Sequence, residues 1–173
     1  LDELVKIAYY RTHLTFTRSN VIAGNPVTWT DDRIPPTLRD VINWCVKNNA
    51  YKEFNGATTG HFAVKLKNNQ FLTSIRKTNF NDIENNGMVL VETDGEDNVI
   101  AYGFKPSVGG QSQRIIFNKY DDCNSIVHFH SPLKEDRNDN IPVVSQWEYE
   151  CGSHECGINT TNGLEKFGNL YCV

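Results

Sequence analysis

The sequence predicts an α/β domain, α+β-like in its segregation, with helices covering a central, mostly antiparallel sheet. Three patterns carry that prediction. Phe62, Val64 and Leu66 alternate with Ala63, Lys65 and Lys67, Asn68-Asn69 supplies a tight turn, and Phe71-Leu72-Thr73 resumes the extended run, which is a β-hairpin pattern. Met88–Thr93 and Val99–Tyr102 about Asp94-Gly95 form a second one. Leu38, Val41, Ile42, Cys45 and Val46 follow the i, i+3, i+4, i+7, i+8 stripe of an amphipathic helix.

In chain order, Leu1–His13 reads as a helix and Ser19–Asp32 as a loop around Gly24, Asn25 and Pro26. Ile34-Pro35-Pro36 leads to Thr37, whose hydroxyl suits an N-cap for the striped helix. Beyond the hairpins, Pro106–Gly110 is a loop and Gln111–Tyr120 a short helix. Ser125–His130 is a strand stopped by Ser131-Pro132, and the charged, Asn-rich stretch from Lys134 to Asn140 leads to a strand near Ile141–Val144. A helix is expected within Gly152–Phe167 and a final strand over Asn169–Val173. Hairpins with helices before, between and after them give the predicted layering.

At 173 residues the chain suits one domain, and 39% hydrophobic with 22% charged residues is a globular composition. A net charge of −4 supplies no basic field for nucleic acid or an anionic membrane. No apolar run approaches the roughly 18 residues of a membrane span, and Leu1-Asp2-Glu3 opens no secretory signal. Five scattered cysteines suit reduced thiols better than a disulfide framework, so a cytoplasmic protein is expected. Asn159-Thr160-Thr161 fits a glycosylation sequon, which means little without a secretory route.

The strongest chemical signal is His128-Phe129-His130. Alternation puts both imidazoles on one face and the phenyl on the other, so two nitrogen donors point the same way. Neutral imidazoles suit zinc and other divalent transition metals, and catalysis would need a third ligand and an open position. Two hydrogen-bonded histidines near a sheet end are the alternative.

Pro106-Ser107, a helix ending near Phe117, Asp121-Asp122 and then Ile126-Val127-His128-Phe129-His130-Ser131-Pro132 together resemble the class II aldolase/adducin family. There a Pro-Ser-Ser-Glu loop precedes a helix and a strand ending in His-x-His and Ser-Pro. Gly60-His61-Phe62-Ala63 and Val91-Glu92-Thr93-Asp94-Gly95 agree more loosely, and the likeness runs over roughly residues 38 to 173. The resemblance implies that His128 and His130 bind a divalent metal, most readily zinc, that a small carbonyl or sugar-type compound is the substrate, and that the chain forms a homo-oligomer, a tetramer by analogy. It also implies a third histidine one strand later, just beyond Val173 if the domain runs on past the sequence given.

Departures from the pattern matter as much. The family's catalytic glutamate aligns with Gly109, nineteen positions before His128, and glycine cannot carry a proton. His61 replaces the asparagine of the family's first glycine loop, and Val108 replaces the second serine of its phosphate loop. Ser107, Gly109 and Gly110 remain the expected substrate-binding residues, the glycines through backbone N–H groups or as a plain turn. In Cys151-Gly152-Ser153-His154-Glu155-Cys156-Gly157 the cysteine spacing matches no zinc ribbon or finger. His154 could complete the His128/His130 site, and His154 or Glu155 could replace the missing acid/base. Alternatively Ser153 caps a helix and Glu155 favours its dipole. His13, the Glu148/Glu150 pair and Trp29, Trp44 and Trp147 suit packing or a solvated surface better than chemistry.

The expectation is therefore a divergent zinc-dependent lyase or epimerase of aldolase type. A non-catalytic adducin-like oligomerisation scaffold and an unrelated metalloprotein sharing only His-x-His are the alternatives.

Overall fold

A computed structural model of the chain describes residues 14–67, 69–94, 97–130, 140–145 and 149–173. The helix expected over Leu1–His13, with His13 itself, lies outside the described residues, as do the charged stretch before Asn140, Trp147 and Glu148.

Among the described residues the main sheet has six strands: β1 (Arg18–Ile22), β4 (His61–Lys67), β5 (Gln70–Ser74), β6 (Met88–Thr93), β7 (Asn98–Tyr102) and β8 (Ser125–His128), in the order β1-β7-β6-β5-β4-β8. Both expected hairpins, β4–β5 and β6–β7, pair antiparallel, and β1 alone runs parallel to its neighbour. Two short hairpins stand apart, β2 (Glu53–Phe54) with β3 (Ala57–Thr58), and β9 (Glu165–Phe167) with β10 (Leu170–Cys172). The helices are α1 (Pro36–Lys47), α2 (Ile83–Asn86), α3 (Gly110–Lys119) and α4 (His154–Gly163), with a 3-10 turn at Phe80–Asp82.

Strand alternation divides the core into two layers. Phe62, Val64, Leu72 and Met88 pack with Leu38, Ile42 and Cys45 of α1 on one face. Ala63, Phe71, Val89, Val91 and Val99 pack with Phe117 of α3 on the other. The striped helix buries Leu38, Ile42 and Cys45 of its apolar stripe and half-buries Val46, but Val41, also in the stripe, stays exposed, as does Trp44.

Several local expectations are corrected. Residues 19–22, read as loop, belong to the edge strand β1 (Arg18–Ile22); the strand shows no alternation because nearly all its side chains are exposed and β7 supplies the ladder. Thr37 does not cap α1, since Pro36 occupies the first turn, where a missing N–H costs nothing, and starts the helix two residues earlier, with Pro35 at the N-cap. Ile141–Val144 forms no strand, and Val143 is exposed. The helix expected within Gly152–Phe167 and the final strand expected over Asn169–Val173 are present as α4 and β10, with the short strand β9 between them as the unforeseen element. The pieces at residues 53–58 and 80–86 are too short to leave a period in the sequence.

Candidate functional site

The site grows from the pairing of two strands remote in sequence. In the β4–β8 ladder His61 lies directly opposite His128. His61 shares its strand face with Ala63, and His128 with Ile126, both of which pack in the α3 layer, so both imidazoles point to that side. Their ring centres are 4.5 Å apart, and that of His130 is 4.8 Å from His128. The expectation that His128 and His130 share a side is met, although His130 stands just past the strand's end. Gly60 makes the approach possible: at a φ of +104° a Cβ there would come within 2.5 Å of the His128 carbonyl oxygen.

His61 is the residue whose place sequence reasoning missed. A Cβ on Gly109 would fall 2.1 Å from its Nε2 and 2.2 Å from its Cδ2, so the imidazole fills the volume that any side chain at position 109 would need. His61 is only 5% exposed, and its Nδ1 lies 2.8 Å from the Nε2 of buried Gln113, on the first turn and a half of α3. The available signal was His61 standing where the resemblance expects an asparagine in the first glycine loop; the packing of α3 that sets it against Gly109 was not legible.

Burial, reinforced by His128 and His130, lowers the pKa of His61 to about 3. Burial, reinforced by His130, lowers that of His128 to about 4. Both are neutral at physiological pH, the protonation state in which imidazole binds a metal. The Nδ1 of His128 is buried with no hydrogen-bond partner among the described residues, a cost that a ligand would remove. The donor chemistry therefore suits a divalent transition metal. Among the described residues, however, no three His, Cys, Asp or Glu side chains already form a metal-holding group.

The loop expected to bind substrate lies at the N-terminus of α3. Ser107 donates its backbone N–H to the Ser74 carbonyl, its Oγ accepts from Gly109 N, and its carbonyl accepts from Gly110 N. Both glycine amides are thus engaged in a turn. Ser107, Val108 and Gly110 help to line a cavity of about 240 Å³, with Arg76 and Glu150 as its charged residues and Phe71, Val91 and Val99 as its apolar floor. The tight contact between Gly152 and Val108 brings the residues before α4 against this loop.

The structure does not bring His154 and Glu155 to the histidines. His154 Nδ1 is 3.4 Å from Asp97 Oδ1, and Glu155 accepts the backbone N–H of Thr15 at 3.0 Å. Those partners adjoin β7 and β1, at the edge of the sheet opposite β8. Ser153 is the N-cap of α4, its Oγ accepting from Cys156 N at 3.0 Å, and Glu155 sits in the first turn, where a carboxylate favours the helix dipole.

The sequence profile of the class II aldolase and adducin N-terminal domain matches residues 40–134, which span β4–β8 and both histidines of the His-x-His pair. The chain belongs to this family. Its fold is similar to that of a sugar-phosphate aldolase from Thermotoga maritima, with a TM-score of 0.54, 15% identity, and coverage of 73% of this chain and 75% of that one. YgbL, an aldolase/epimerase/decarboxylase candidate from Escherichia coli, is also similar, with a TM-score of 0.49, 15% identity, and coverage of 73% and 69%. No curated protein matches the chain in sequence. The class II aldolase fold agrees with the architecture read from the hairpins and the striped helix. Among the described residues no helix is long and apolar enough to cross a membrane.

Proposed function

We propose that this family member is a divergent metal-dependent enzyme of aldolase type, a lyase or epimerase acting on a small carbonyl or hydroxy-carbonyl compound. The observation that carries this reading is the cluster of neutral imidazoles around His128, with a buried nitrogen left unpartnered. His128 and His130 would hold the ion, most readily zinc, which when bound supplies a Lewis acid for a substrate oxygen. Ser107 and Arg76 border a cavity whose lining includes none of the three histidines and which reaches them only through the loop around Gly109, against which His61 packs; there they offer a hydroxyl and a guanidinium for substrate oxygens. Position 109 carries no carboxylate to move a proton, so family-type retro-aldol cleavage of sugar phosphates is expected to be slow. Assembly into a homo-oligomer, a tetramer by family analogy, and a cytoplasmic location complete the reading; the free thiols of Cys45, Cys123, Cys151 and Cys172 support a reducing compartment.

The vacancy at position 109 also favours a second reading, a non-catalytic scaffold of adducin type. Elemental analysis of the purified protein separates the two. About one zinc or similar ion per chain, lost in His128→Ala/His130→Ala, supports the enzyme. No metal in either protein overturns it and leaves the scaffold.

A further inference from the structure

A metal site built on His128 and His130 needs another protein donor; the resemblance expects a histidine beyond Val173, and within the sequence given His154 lies against Asp97 instead. His61 adjoins the pair. Imidazoles bound through one nitrogen at about 2.0–2.1 Å around a tetrahedral ion place their ring centres about 5 Å apart. The centres of His61 and His128 are 4.5 Å apart and those of His128 and His130 4.8 Å. The ring centres thus stand near ligand spacing, but the nitrogens do not yet share a point, so binding an ion requires His128 and His130 to turn toward Nε2 of the confined His61.

The surroundings of His61 suit that role. Its Nδ1 is held by Gln113, leaving Nε2 as the nitrogen on the Gly109 side, where the absent Cβ leaves it room. Ligating histidines commonly anchor their second nitrogen in this way, donating N–H to a fixed acceptor. Gln113 can present either end of its amide. Presenting Oε1 to Nδ1–H gives a partner to a buried oxygen that otherwise has none among the described residues, and leaves the lone pair of Nε2 for a metal.

We propose that His61 is a further imidazole donor of this site, ligating through Nε2, with Gln113 positioning it and Gly109 making room for it. The proposal rests on the reading of His128 and His130 as metal ligands.

The test uses the metal-free chain titrated with zinc, and with cobalt(II) as a spectroscopic probe. Wild type should bind one ion and show the intense visible absorption of tetrahedral cobalt. His61→Asn should weaken zinc binding at least tenfold and abolish that spectrum, and Gln113→Ala should weaken it roughly 10- to 100-fold. Should a variant fail to fold, imidazole 15N NMR of the zinc-loaded wild type decides: shifts at three histidine side chains, His61 included, support the proposal, and shifts confined to His128 and His130 overturn it. Unchanged affinity and cobalt spectrum in His61→Asn, with binding lost in His128→Ala, overturns this inference while sparing the metal reading. A wild type that binds no metal removes both.

Discussion

Gly109→Ala tests the mutual exclusion on which the site depends. The added methyl would lie 2.1 Å, 2.2 Å and 2.6 Å from Nε2, Cδ2 and Cε1 of His61, against ordinary contact distances of about 3.5–4 Å. Three overlapping atoms of one rigid ring leave no small adjustment, so the whole imidazole must move. It is confined by β8 on one side and tied to Gln113 on another. Overpacking of this kind costs about 1–3 kcal/mol, and breaking the contact to a buried amide about 1–3 kcal/mol more. The backbone at 109 is ordinary, with φ −67°, so only the modest cost of alanine at an N-cap, up to about 1 kcal/mol, belongs to the helix itself. A net loss of about 2–7 kcal/mol should lower Tm by roughly 4–28 °C for a chain of this size, at about 2–4 °C per kcal/mol. Urea unfolding of wild type, Gly109→Ala, His61→Ala and the double variant closes a double-mutant cycle. Once the ring is gone, the methyl should cost no more than about 1 kcal/mol. A penalty as large with His61→Ala as without it, or a single-variant loss below about 0.5 kcal/mol, refutes the argument.

Two further outcomes follow from the geometry. Because the folded-state pKa values of His61 and His128, about 3 and about 4, lie below the ordinary histidine value of 6.5, the unfolded chain binds more protons at mildly acidic pH. Metal-free stability should therefore fall as pH drops from about 6.5 toward 4, each histidine adding up to about 1.4 kcal/mol per pH unit, with no contribution from either above that window. Denaturant titrations at stepped pH check this, with His61→Asn showing the shallower slope; stability that rises on acidification would contradict the assignment. Ser153→Ala removes the cap on Cys156 N and should cost about 1 kcal/mol in urea unfolding, and a loss below a few tenths would show that the cap contributes nothing.

Local pattern in the sequence determined both central hairpins, α1, α3 and the capped start of α4, because each rests on interactions within a few residues: alternation, a turn dipeptide, an apolar stripe or a serine at an N-terminus. The His-x-His pair was legible for the same reason, since strand geometry alone puts positions 128 and 130 on one side. The edge strand β1 was not, because its stability comes from a neighbour some eighty positions away rather than from its own side chains. The site's third imidazole belongs with β1. His61 and His128 are opposite one another only because β4 pairs with β5 on one edge and β8 on the other, and His61 fills the space over Gly109 only because α3 crosses that same face. The resemblance read from the sequence put the family's acid/base at Gly109; only tertiary packing decided that His61 fills the volume beside it, because a space is defined by all the elements that surround it and by none of them alone.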